Sequence, residues 1–410
     1  MTREQRVLAE IDRRADELLA LAGELIRTPS ENPPGDVTEV AALVAERLPG
    51  STTHDAGDGR VNVLARSGTE TGRHLVLCGH IDTVPVGDPK RWSFSPFAGD
   101  VVDGYLRGRG ASDMKAGVAA AMIAYLVLSE ESLGGRLTFA AVADEETGGP
   151  LGAKWLFEQG LLAGATGAII AEPSGRAHPT IGQKGSNWFR LTIDGEPGHG
   201  SLQPMSGVSA NLLAAKAILA LQALWDMKPD PPDDARELIA ISQRNAQPHQ
   251  ALAFDHVTIN IGRIQGGTAT NVVADRCVVD VDTRVPIGLS RAEVLAEARR
   301  LLDAAGVPAE IEPTGFRSEP NWTPPDDPVV TELVGTLREL VDPEAHGVLQ
   351  WASSDARVFR SNSVPVLQYG PAYLPTIHGH DERAPAEDVI TAAKVYALTA
   401  LRYLERETSC

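Results

Sequence analysis

Leu75-Val76-Leu77-Cys78-Gly79-His80-Ile81-Asp82-Thr83-Val84-Pro85 reads as a short strand that ends on a glycine and delivers a histidine and an aspartate. An unbroken apolar run closed by Gly79 suits a strand covered on both faces, as in a parallel sheet. The same grammar recurs along the chain. Residues 137–142 form an apolar run followed by Asp144-Glu145-Glu146-Thr147-Gly148-Gly149, and residues 168–171 run into Glu172-Pro173-Ser174. Tyr105-Leu106 leads to Gly108-Arg109-Gly110-Ala111-Ser112-Asp113-Met114-Lys115. Residues 364–369 read as a further strand, and a Gly370-Pro371 turn then precedes His378-Gly379-His380-Asp381-Glu382.

Helical spacing lies between these strands. Leu8, Ile11, Ala15, Leu18, Ala22 and Leu25 predict one opening amphipathic helix, residues 37–48 a second, and the small-residue stretch 116–128 a third. Residues 29–35 (PSENPPG) break the pattern with turn formers. Strands alternating with helices predict the α/β class, with a mostly parallel mixed sheet flanked by helices. After Glu172 the pattern changes. Residues 188–193, 257–261 and 277–282 alternate apolar and polar, as half-buried strands do, with helical stretches at 209–224 and 291–305 and a Pro-rich surface loop at 227–235. From Phe316 the α/β character returns. The expectation is a first domain made of residues 1–182 and 315–410, with a smaller α+β domain, 183–314, inserted in it.

Composition sets bounds. A chain of 410 residues favours two domains, and 43% hydrophobic with 22% charged residues is ordinary for a globular protein. The formal net charge of −18, from 55 acidic and 37 basic residues, repels phosphate backbones and argues against nucleic acid as a partner. Cys78, Cys277 and Cys410 are too few, and odd in number, for a disulfide framework. The first 27 residues are charged throughout, and no apolar run approaches the roughly 20 residues that span a bilayer, so no membrane partner and a cytoplasmic location are expected.

In an open α/β sheet, ligands bind beyond the carboxyl ends of the strands. Here those ends carry His80, Asp82, Asp113, Glu145, Glu146 and Glu172, with His378 further on. A lone strand-end histidine is more often a hydrogen-bonded structural residue, and an adjacent Glu145-Glu146 is ordinarily a solvated pair. As a set they differ, because carboxylates gathered at one edge repel strongly unless cations compensate them. Imidazole with carboxylate and no thiolate suits zinc, cobalt or manganese. Cys78, two residues before His80, reads as a small core residue. Rival chemistries lack their signatures: there is no Gly-x-Ser-x-Gly elbow, no His-Glu-x-x-His helix, and Gly108-Arg109-Gly110 is too short for a dinucleotide fingerprint.

The segments GHIDTVP, GRGASDMKAG, DEETGGPLGA, EPS and HGHDE, in that order, resemble the dinuclear zinc amidohydrolases and peptidases. That family includes acetylornithine deacetylases, succinyl-diaminopimelate desuccinylases, aminoacylases and carboxypeptidase G. PSENPPG and WSFSPF (92–97) match too, so the resemblance spans nearly the whole chain. It implies that His80, Asp113 and Glu172 bind one metal and that Asp113, Glu146 and His378 bind the other, with Asp113 bridging. Family spacing selects His378 over His380. It also implies that Asp82 fixes the His80 tautomer, that Glu145 is the general base, and that the Asp113–Met114 peptide is cis.

The inserted domain resembles the family's lid and dimerisation domain, which implies a homodimer. His199, in Gly198-His199-Gly200-Ser201, matches a histidine that reaches the partner's active site and polarises the scissile carbonyl. Asn271, after Gly266-Gly267-Thr268, matches a lid position that touches substrate. Arg284 and Arg357 match positions that bind substrate carboxylates, against the plainer reading of internal ion pairs. The function implied is hydrolysis of the amide in an N-acylated amino acid. A dipeptidase or carboxypeptidase of the same mechanism is the alternative, and a non-catalytic metal-binding or scaffold homologue is the rival from another class. Gln183-Lys184-Gly185-Ser186 stands where desuccinylases carry two consecutive arginines, which argues against diaminopimelate as the amine half.

Overall fold

The structure is a computed structural model that describes residues 1–405; Cys410 lies outside the described residues. The chain divides into two compact units. The first comprises Met1–Ile181, Thr323–Val348 and the chain from Ser354 onward; the second comprises Gly182–Trp322 with Leu349–Ser353. The expected boundary between residues 314 and 315 falls inside the strand Glu310–Ser318. Arg317 and Ser318 of that strand stay paired to Asn187 and Ser186.

The first unit is built on a mixed sheet. From one edge its strands run Thr52–Asp55, Val61–Gly68, Arg136–Val142, His74–His80, Gly167–Ile170 and Val366–Gln368. The last four are mutually parallel: Cys78 pairs with Ala140 on one side and Ile170 on the other, and Leu367 pairs with Ile169. At one edge Thr52–Asp55 and Val61–Gly68 run antiparallel, and on the other side Thr180–Gln183 joins Val366–Gln368 antiparallel, with Thr180 opposite Gln368. The four parallel strands therefore end on one edge, and every residue of His74–His80 is buried, as its unbroken apolar run requires.

Helix Lys115–Ser129 packs on His74–His80 and Arg136–Val142, and on helices Ala15–Arg27 and Ala386–Glu405. It is apolar almost all round, which marks a helix buried on every side. Gly117 allows the approach: a Cβ there would lie 2.2 Å from the Ala171 carbonyl oxygen, one residue before Glu172. The opening helix expected over residues 8–25 is two helices, Arg3–Arg13 and Ala15–Arg27, because Arg14 leaves helical geometry at φ −95°, ψ 12°. Tyr105–Arg107 is not in the main sheet. It pairs with Asp100–Val102 and Arg383–Pro385 in a separate three-stranded sheet, so Asp113 reaches the main sheet's edge from a different layer.

The second unit is an antiparallel sheet in the order Thr258–Gly266, Arg276–Val285, Gly185–Asp194, Glu310–Ser318. Helices Ala210–Leu221 and Arg291–Ala304 supply Ala214, Ala217, Leu221, Val294, Ala298 and Leu302 to its core, against Phe189, Leu191, Val279 and Val281. Arg276–Val285 alternates buried and part-buried residues along its length, the period of two that a one-sided sheet needs. Among the described residues, no helix is long and apolar enough to cross a membrane.

Candidate metal centre

His80 is the last residue of its strand and 2% exposed. Its Nδ1 lies 2.9 Å from the Asp82 carbonyl oxygen and 3.4 Å from the Asp82 carboxylate. A carbonyl only accepts, so Nδ1 carries the proton and Nε2 is left to face inward. There Nε2 meets Asp113 Oδ1 at 3.0 Å and Glu172 Oε1 at 3.8 Å. Asp113 turns its other oxygen to a second imidazole: His378 Nε2 is 3.2 Å from Asp113 Oδ2 and 3.4 Å from Glu146 Oε2. Ligand-type atoms of His80, Asp113 and Glu146 all lie within 4.8 Å of one another, and so do those of His80, Glu145 and Glu172.

The parallel strands explain the gathering. Glu145 and Glu146 follow Arg136–Val142, Glu172 follows Gly167–Ile170, and the turn after Val366–Gln368 leads to His378. Asp113 sits at the start of helix Lys115–Ser129, and its peptide to Met114 is cis, as the resemblance implies. His378 holds φ at +59°, a left-handed conformation that a non-glycine residue keeps only where its surroundings fix it.

Electrostatics show what the cluster lacks. Burial, then the charge of Glu172, pushes the Glu145 carboxyl well above its ordinary range. Burial and the Asp113 charge do the same to Glu172, and raise Glu146. For Asp113 burial pulls the same way, but hydrogen bonds from His378 and His80 outweigh it and hold the carboxyl well below the usual range. The same contacts, first Asp113 and then Glu146, push His378 up to about 10. Four carboxylates, one buried and three part-buried, gathered against two imidazoles repel one another unless further positive charge compensates them. Burial opposes it, but contacts with Asp113 and Asp82 raise the His80 imidazole well above its ordinary value, so the protons on the two imidazoles stand where cations would sit. Divalent cations would replace those protons and compensate the remaining carboxylates, so this donor set fits two of them, with Asp113 facing both imidazoles.

Further side chains support the centre, and two of them, Asn32 and Lys115, carry no sign in sequence of the part they play. The Asp82 carboxylate accepts the backbone N–H groups of Glu145 at 3.2 Å and Glu146 at 3.1 Å, and the Asn32 side-chain amide at 2.9 Å. It thus orients the Glu145-Glu146 turn as well as lying beside His80. Asn32 comes from the PSENPPG break and also donates to Asp144 at 3.0 Å. Lys115 Nζ donates to the carbonyls of Leu25 and Thr28, closing the C-terminal end of helix Ala15–Arg27. Cys78 is fully buried, and burial raises its thiol well above the ordinary value. His380 lies edge-on to Trp92, with ring centroids 6.1 Å apart.

The remaining candidates divide between the units. In the first, Arg357 donates to the carbonyls of Ser354 and Gly148, the latter two residues after Glu146. In the second, His199 Nδ1 lies 2.7 Å from Ser201 Oγ, and the Gly200 N–H donates to the Asn271 carbonyl at 2.8 Å, so His199 and Asn271 are neighbours. Arg284 pairs with Asp282 at 3.0 Å and donates to Ser186 Oγ at 2.7 Å.

A parallel sheet edge that gathers two imidazoles and a cluster of carboxylates into cation-sized groups defines a metal-dependent hydrolase class. Residues 76–402 match the profile of peptidase family M20/M25/M40, and the chain belongs to that family. It is a metal-dependent hydrolase acting on amide bonds. The succinyl-diaminopimelate desuccinylases of Bradyrhizobium sp. (strain ORS 278) and Xanthobacter autotrophicus are each 30% identical to it. The first match covers 94% of this chain and 98% of the relative, the second 94% and 99%. Human carnosine dipeptidase 1 superposes with a TM-score of 0.78 at 16% identity, over 99% of this chain and 100% of that one. A dinuclear metal-binding peptidase of the M20 family from Bacillus subtilis superposes with a TM-score of 0.67 at 16% identity, over 96% and 99%. These likenesses agree with the expected fold, a mixed sheet flanked by helices.

Proposed function

We propose that this chain hydrolyses the amide bond of an N-acylated amino acid, using two divalent ions, in the first instance zinc. The observation that carries this reading is the pair of imidazoles facing opposite oxygens of Asp113, with Glu145 alongside. His80, Asp113 and Glu172 would hold one ion, and Asp113, Glu146 and His378 the other. When bound, the ions supply Lewis-acid chemistry, lowering the pKa of water and polarising the amide carbonyl. Glu145 accepts the proton of the attacking water on a carboxylate oxygen and later delivers it to the leaving amine nitrogen. Burial and Glu172, which raise its affinity for a proton, suit that shuttle. Asp82 keeps the proton on His80 Nδ1 and holds the Glu145 backbone in place.

The second unit's roles rest on the family resemblance. His199 of a second copy would donate to the developing oxyanion, and Asn271 would contact substrate. Arg284 and Arg357 would hold the substrate carboxylate, a task for which a planar guanidinium is suited. The edge strand Thr258–Gly266 bonds one neighbour only among the described residues, and Leu212, Leu219 and Ile264 stand exposed. Such an edge calls for a cover, which supports a homodimer through this unit. Cys78 and Cys277 are unpaired thiols, which supports a reducing, cytoplasmic setting.

The desuccinylase relatives favour an acylated amino acid, and the likeness to a dipeptidase keeps dipeptides as the second reading. A panel of N-acetyl, N-succinyl and dipeptide substrates with zinc- and cobalt-loaded protein tests both. Turnover of acyl amino acids above dipeptides is the expected result. Hydrolysis of dipeptides alone would replace the first reading by the second, and no hydrolysis of any would remove both.

A further inference from the structure

Glu382 and Arg109 form an ion pair at the heart of the first unit, and their exposures are 0% and 2%. One carboxylate oxygen of Glu382, Oε1, accepts three backbone N–H groups: Gly110 at 3.1 Å, Ser112 at 2.9 Å and Asp113 at 3.1 Å. The other oxygen meets the Arg109 guanidinium. Arg109 in turn donates to the carbonyl of Gly379 at 3.0 Å and, more weakly, to that of Pro85 at 3.4 Å. Its guanidinium lies over the Trp92 ring, 5.2 Å from the centroid. Two side chains thus join the loop after His80, the loop carrying Asp113 and the loop carrying His378.

A buried ion pair is a poor device for stability, since desolvation offsets most of the attraction and an apolar pair of equal volume does as well. What this pair secures is geometry. Gly379 adjoins His378, and one Glu382 oxygen holds the Asp113 amide itself. We infer that Glu382 and Arg109 are positioning residues that hold Asp113 and His378 at the separation a shared cation requires. Neither belongs to the groups of ligand-type atoms, and their hydrogen bonds run to each other and to backbone groups. The inference rests on the reading that Asp113, Glu146 and His378 hold a cation.

The test uses metal-stripped full-length protein titrated with Zn2+ or Co2+ by calorimetry, beside thermal unfolding of the same samples. Glu382→Gln keeps the volume and an oxygen for the amides, but sets an N–H2 against the Arg109 donors. It should bind at least one ion about 10- to 100-fold more weakly, the loss typical when a ligand's supporting partner is removed. Its KM at saturating metal should stay within about twofold of wild type, because no substrate contact changes. Arg109→Lys, which keeps the charge but not the fork to Gly379 and Pro85, should show the same loss in smaller degree. Wild-type metal affinity in both variants overturns the inference, whatever happens to the melting temperature. Failure of both to fold overturns it too, by placing the pair in the stability of the fold. Wild-type protein that takes up no ions instead refutes the metal reading beneath it.

Discussion

Glu145 and Glu146 are chain neighbours with the same side chain, yet their surroundings separate them. Glu146 Oε2 lies against His378, whereas Glu145 groups with His80 and Glu172 and, among the described residues, has no hydrogen-bonded cation of its own. Burial raises both carboxyls, but of the two it is Glu146 that meets an imidazole, and this difference supports the proposed division into a ligand and a proton carrier. Glu145→Ala is therefore expected to keep two ions per chain by elemental analysis while kcat falls about a hundred- to ten-thousandfold. Unchanged turnover would remove its role. His378→Ala should lose about one ion per chain in the same analysis, and full retention would take His378 out of the ligand set. Glu145, Glu146 and His378 were legible in sequence because each stands in a distinctive short motif. The double duty of Asp82 was not, since it depends on backbone N–H groups whose direction only the folded turn reveals.

Among the elements, the parallel strands were legible because unbroken apolar runs ending in Gly79, Asp144 or Glu172 admit few other readings. Helix Ala386–Glu405 carries its signal more quietly, in Val389, Ala393, Tyr396, Ala400 and Tyr403, which recur at helical spacing and are buried. Tyr105-Leu106 was legible as a strand but not as part of a separate sheet, because three residues carry no sign of their partner. Gly117 is the element-scale test of the centre. An alanine there would drive helix Lys115–Ser129 against the Ala171 carbonyl, beside Glu172. Gly117→Ala should lose about 1–3 kcal/mol of stability by denaturant unfolding. It should also weaken binding of the ion assigned to Glu172. A variant as stable as wild type would show that the close approach is not needed.

At the scale of the molecule, the switch to alternating strands is what sets the inserted unit apart in sequence, and its proposed place as a dimer interface rests on resemblance and an open edge. Sedimentation should find a dimer at micromolar concentration, and Leu219→Glu with Ile264→Lys should give a monomer of low activity, since His199 would lose its neighbour. An active monomer would contradict that role.

Lys184 supplies a pH signature for the same unit. Its Nζ donates to the His256 carbonyl at 2.7 Å, and burial, reinforced by Arg284, lowers its pKa to about 7. From there to about 10.4 the unfolded chain holds a proton that the folded chain does not, so this lysine makes stability rise with pH. The slope is at most about 1.4 kcal/mol per pH unit. Relative to Lys184→Met, wild type should gain stability across that window; a constant difference would mean the lysine stays charged.

The central claim concerns two ions about Asp113, and a crystal structure of zinc-soaked protein, with anomalous data at the zinc edge, tests it most directly. The account predicts two peaks, one bounded by His80, Asp113 and Glu172 and the other by Asp113, Glu146 and His378. A single peak, or peaks away from Asp113, would contradict it.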